Sequence, residues 1–118
     1  MKLWSEFLGM ATLQYDGISL SPSRIYSNGT WLGGWVINTN ANLYCGSGQF
    51  DDGKKAIVVM SSWGMGVLSL QNNTHLYIAP NATRFGGWLL NSGDNVVRLI
   101  ADFDADGKDE ILISSPGE

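Results

Sequence analysis

Residues 101–115 read ADFDADGKDEILISS. Asp102, Asp104 and Asp106 stand at alternate positions, Glu110 closes the set, and Gly107 interrupts the run before an apolar stretch. Calcium takes about six to eight oxygens at flexible geometry, which closely spaced carboxylates on a tight loop can supply. Lys108 would add its backbone carbonyl. The spacing is not that of an EF-hand. The twelfth position counted from Asp102 is Ile113 where a bidentate Glu is required, and a strand-like run follows where a helix belongs. A solvated acidic turn, with Gly107 supplying positive φ, is the other reading of the same residues. An altered copy, GQFDDGKKAIVVMSS, occupies residues 48–62. It has Gln49 at its first carboxylate position and Ala56 opposite Glu110, and it is one residue shorter when the two Asp-Gly-Lys triplets are matched. The expectation is one calcium per chain, held at 102–110 only.

Other chemistry is scarce. The single cysteine, Cys45, cannot form an internal disulfide and reads as a small core residue. The one histidine, His75, has no evident nucleophile to serve. No metal-ligand histidine cluster and no phosphate loop is present, and carboxylates on a turn are not a carboxylate pair in a cleft, so an enzyme is the weakest reading. Of the 118 residues 44% are hydrophobic and 15% charged, which excludes a disordered chain. A net charge of −4 argues against a nucleic-acid partner. No apolar run is long enough for a membrane span, and Glu6 breaks the short apolar start, which reads as mature sequence without a signal peptide. Asn28, Asn72 and Asn81 each begin an Asn-x-Thr sequon.

The elements that must carry the acidic loop come twice. WLGGWVINTNANLYCGSGQFDDGKKAIVVMSS (31–62) aligns without a gap, at an offset of 53, with RFGGWLLNSGDNVVRLIADFDADGKDEILISS (84–115). A period near 50 made of short strands indicates a propeller or another β-array. VVRLIADF enters the loop, EILISS leaves it, and WGMGVLSLQ and THLYIAP form a hairpin about an Asn-Asn turn. Each unit thus has four strands, A to D, and no segment keeps a helical period. The chain opens with a C–D pair (about 8–21), continues with a full A–B–C–D unit (43–80) and ends with an A–B pair (96–115). The repeats span about 8–60 and 61–115 of one domain.

The unit with DFDADGKDEILISS resembles the FG-GAP or VCBS repeat of integrin-type β-propellers. With Gly-Gly-Trp and WGMGVLSL it is closer to the propeller lectins of the Psathyrella velutina lectin type. The resemblance implies an all-β fold of four-stranded antiparallel propeller blades, one full blade and two half-blades per chain. It also implies a sugar-binding function, for N-acetylglucosamine or fucose, in pockets between blades. Trp35, Trp88, Trp63 and Trp31 are the candidate faces for a sugar ring, although blade packing accounts for each equally well. Asn38, Asn42, Asn91, Asn95, Asp94 and Arg98 are candidate hydrogen-bonding groups, although turn formation would explain the asparagines. The two pockets should differ, since Asp94 and Arg98 stand where the first copy has Ala41 and Cys45. A scaffold or adhesion module without sugar binding is the alternative.

Two repeats cannot close a propeller of roughly four to eight blades. The A–B pair of one chain is therefore expected to complete the C–D pair of the next, closing a homo-oligomeric ring with an even blade number. Three chains and six blades are favoured over four chains and eight.

Overall fold

The computed structural model describes residues 9–51 and 54–116, and among them every regular element is a β-strand. The residues up to Leu8 and the Asp52–Gly53 tip of the upstream loop lie outside the described residues. With them lie the start of the first repeat and part of the expectation that the upstream loop binds no ion.

The four-stranded unit forms as the sequence suggests. Strands β5 (Leu43–Asp51), β6 (Lys54–Ser61), β7 (Gly64–Ser69) and β8 (Thr74–Pro80) make one antiparallel sheet in chain order. β-Branched and apolar residues fill β6, which suits a strand covered on both faces. All six residues of β7 are buried. Before the sheet, β1 (Gly9–Tyr15) pairs with β2 (Leu20–Ser27), and after it β11 (Val96–Ala101) pairs with β12 (Glu110–Ser114). The first hairpin reaches six residues beyond the expected end at residue 21. Pro22 is accommodated because β2 is an edge strand among the described residues, and Pro22 faces Leu13 beside a bulge where a missing N–H costs little.

Two short hairpins were not anticipated. β3 (Trp31–Leu32) pairs with β4 (Trp35–Val36), and β9 (Arg84–Phe85) with β10 (Trp88–Leu89). Each turns on its Gly-Gly pair. Gly33 at φ 60° and Gly34 at φ 92° both occupy the left-handed region that a two-residue type I′ turn requires.

Three layers result. The central sheet buries Val59 and Leu68 on one face against Leu32, Trp35 and Ile37, with Met10 and Tyr26 of the first hairpin packed around them. Its other face buries Ala56, Val58, Met60, Met65, Val67 and Ala79 against Leu90, and Ile100, Ile111 and Ile113 of the last hairpin close over them. Gly66 admits the Trp35 ring: a Cβ there would lie 2.8 Å from Trp35 Cε3. Among the described residues the layers do not close into a ring.

The repeat is exact in register. The bulge between Thr12 and Leu13 in the first hairpin recurs between Val67 and Leu68. Tyr44 faces Val59 as Val97 faces Ile113. Tyr44 and Val97 are 53 residues apart whereas Val59 and Ile113 are 54 apart, so the gapless alignment fails by one residue inside the acidic loop.

Trp35 is 1% exposed and Trp31 67%. Truncating Trp35 to Ala is expected to cost about 3–5 kcal/mol in urea unfolding, as for other buried aromatics. Trp31→Ala should stay within about 0.5 kcal/mol of the parent.

Candidate functional site

The acidic loop follows from its local hydrogen bonds. Asp102 accepts from the backbone N–H of Gly107 (2.8 Å) and of Asp106 (3.1 Å). Glu110 Oε1 accepts from Phe103 (2.9 Å) and Asp104 (3.3 Å), and Asp106 from Lys108 (2.9 Å). Ala105 and Gly107, at φ 60° and 90°, turn the chain so that these amides point inward. One carboxylate oxygen from each of Asp102, Asp104, Asp106 and Glu110 lies within 4.8 Å of all the others. Two oxygens on opposite sides of one calcium, each about 2.4 Å from it, are about 4.8 Å apart, so the four fit around a single ion. Lys108 shares the loop, and its N–H donates to Asp106 Oδ1.

The carboxylates do not titrate alike. The Gly107 N–H holds the Asp102 carboxyl below its usual range. Asp104 is pushed up by desolvation and by Asp106 and Glu110 beside it. The loop thus gathers more negative charge than its own amides neutralise, which a divalent cation would relieve. Asp109 points the other way. Its carboxylate accepts from Gln49 N–H (2.6 Å) and its N–H donates to Gln49 O (2.8 Å), tying the loop to β5.

The Gly-Gly-Trp segments form a second constellation. Asn42 Oδ1 accepts Trp35 Nε1–H (3.2 Å), the Asn38 N–H (2.9 Å) and the Tyr44 hydroxyl (3.2 Å). Asn95 Oδ1 accepts Trp88 Nε1–H (3.3 Å) and the Asn91 N–H (2.9 Å) in the same way. Asn38 and Asn91 use their side-chain oxygens on the N–H groups of Asn40 and Gly93. These four asparagines therefore hold the backbone. Trp35 is a core residue whose faces are covered, which corrects its assignment as a sugar platform.

The remaining candidates are scattered. Asp94 accepts from Asn91 Nδ2 (3.2 Å), and Arg98 Nε donates to Ser114 across the β11–β12 ladder (2.8 Å). Trp31 is exposed on β3. Trp88 is half-buried. Trp63 is half-exposed in the β6–β7 turn, and its ring lies on Trp35 with centroids 4.7 Å apart at 32°. Beside it Asn81 N–H donates to Trp63 O (2.6 Å), and Asn81 Nδ2 reaches Ser62 O and Ser92 Oγ (both 3.0 Å). Cys45 is only half-buried, where burial raises its thiol pKa.

Two sequons belong to the repeat, which the 31–62 alignment began too late to include. Asn28 Nδ2 donates to Thr39 Oγ1 (3.1 Å) and Asn28 Oδ1 accepts the Thr39 N–H (3.0 Å). Asn81 makes the same pair of bonds with Ser92. Thr30 and Thr83 donate Oγ1–H to Ser27 O and Pro80 O (both 2.7 Å). The sequence signal for this is the recurrence of Asn-x-Thr at the repeat offset. No family model, curated protein or solved structure matches this chain.

Asn42→Ala leaves the buried Trp35 indole and the Asn38 amide without an acceptor and is expected to cost about 1–3 kcal/mol. Asn95→Ala should cost less, because the half-exposed Trp88 can turn its N–H to water. Urea unfolding of the two variants side by side measures the difference.

Proposed function

We propose that this protein is a non-catalytic carbohydrate-binding module of propeller blades, acting as a closed ring of copies and stabilised by one calcium per chain. The observation that carries the sugar reading is the half-exposed Trp63 ring seated on Trp35. It lies where the Gly-Gly-Trp segment meets the glycine-rich strand. A rigid apolar face with hydroxyl and amide groups at its rim is what a sugar ring needs. Polar groups stand beside the turn that carries it, where Asn81 bonds the backbone oxygens of Trp63 and Ser62 and the Ser92 hydroxyl, and Ser92 Oγ, while accepting from Asn81, keeps its own hydrogen to donate. The sugar class follows the resemblance: N-acetylglucosamine or fucose. A ring of such seams presents several weak pockets to one glycan surface, and avidity raises apparent affinity by about 10² to 10⁴.

Among the described residues there is one Trp–Trp seam of this kind, and in the sequence Leu8 holds the position equivalent to Trp63 in the other C–D pair. Trp63→Ala is therefore expected to abolish binding on calorimetry with N-acetylglucosamine, fucose and their glycosides, while far-UV circular dichroism stays unchanged. Undiminished binding in that variant moves the site off this seam. A parent protein dark across a broad glycan array leaves the scaffold reading, which the acidic loop serves equally well.

The loop supports calcium through its four converging carboxylates. Titration calorimetry on chelator-treated protein should give one calcium per chain, and Asp104→Asn should weaken it. Saturation at a hundred times the dissociation constant stabilises the fold by about 2.7 kcal/mol, visible as a higher melting temperature. No heat at millimolar calcium, or two ions per chain, overturns the assignment.

A further inference from the structure

The last hairpin lacks what the central sheet has. In the central sheet the A–B pair β5–β6 is continued by β7, and Leu68 of β7 is 0% exposed beneath Leu32 and Trp35. Among the described residues no such strand lies beside β12. A cavity of about 380 Å³ opens there instead, lined by Met65, Val67, Phe85, Trp88, Ile111 and Ile113. The residues around it are bare where their counterparts are covered. Phe85, which lines it, is 39% exposed against 0% for its counterpart Leu32. Gly33 abuts Thr74 and His75 of β8, whereas nothing lies within 4 Å of a Cβ placed on Gly86.

The missing piece is present at the other end of the same chain. Hairpin β1–β2 has the register and the bulge of β7–β8, its β1 edge has no partner among the described residues, and Leu13 at the place of Leu68 is 57% exposed.

We propose that β1 of a second copy pairs with β12 and inserts Leu13 into this cavity, completing the fourth-strand set that the ring reading above requires. The in-chain β6–β7 ladder supplies the register. There Ile57 faces Leu68, Val58 faces Val67, Val59 faces Gly66 and Met60 faces Met65. Transferred to the junction, Ile111 faces Leu13, Leu112 faces Thr12, Ile113 faces Ala11 and Ser114 faces Met10 of the second copy. This pairing satisfies two open strand edges at once and covers apolar surface on both copies. The junction is not an identical copy of the internal seam. Ala11 brings a methyl where Gly66 has none, so Trp88 sits further from the strand than Trp35 does.

The test needs no sugar, so it stands or falls apart from the lectin assignment. In a Cys45→Ser background, Thr12→Cys with Leu112→Cys should cross-link copies on oxidation, because facing residues of a ladder lie within disulfide reach. Gln14→Cys with Leu112→Cys, two residues out of register on the same face, should not. Leu13→Asp should reduce the native mass from a multiple of the chain to 12.8 kDa. A parent protein of single-chain mass at micromolar concentration overturns the proposal. So does equal cross-linking of both pairs, or a Leu13→Asp variant that keeps its oligomeric mass.

Discussion

A tryptophan indole is buried without penalty only if its N–H finds an acceptor, and in both copies of the repeat that acceptor is an asparagine seven residues on. The same carboxamide oxygen also takes the N–H at the start of the intervening turn. One atom thus fixes the tryptophan, the turn and the point at which the next strand begins. The short Gly-Gly hairpin can then lie flat on the following sheet, and Trp35 fills the hollow above Gly66. The stacking of the layers on that face of the central sheet depends on this arrangement.

These segments form the same bonds whether or not they are covered. Asn95 and Trp88 reproduce Asn42 and Trp35 although no strand among the described residues lies above Trp88. The handover segment is therefore organised by local polar contacts, and burial adds to it afterwards. Such segments are suited to present an apolar face before any partner has arrived, with little conformational entropy left to lose on docking.

Much of the architecture was legible because strand signals were strong and local. The β-branched run of β6 and the Asn-Asn turn before β8 marked the four-stranded sheet, and the acidic spacing located a loop whose carboxylates do converge. What the sequence obscured was the division of labour among polar residues. Asn38, Asn42, Asn91 and Asn95 have the chemistry to bind a sugar and use it on their own backbone. Trp35 and Trp63 look alike in the sequence, yet one is sealed and the other half-bare, because exposure depends on which strand lies above each. The asparagines of the sequons at Asn28 and Asn81 are used in the same way. Their side chains close the loops on which the hairpins turn.

The one-residue difference between the two acidic loops has a consequence for how such repeats diverge. Strand pairing on either side is unchanged: Val97 meets Ile113 just as Tyr44 meets Val59. The ladder is held by the two faces of each strand, which a one-residue slip would invert, and not by the length of the connection. Insertions and substitutions in that connection therefore keep the rest of the ladder in register, although β5 and β6 pair on to Asp51 and Lys54 where β11 and β12 stop at Ala101 and Glu110. One copy is free to accumulate carboxylates while its sibling loses them, so duplicated units can drift apart in chemistry while remaining interchangeable in shape.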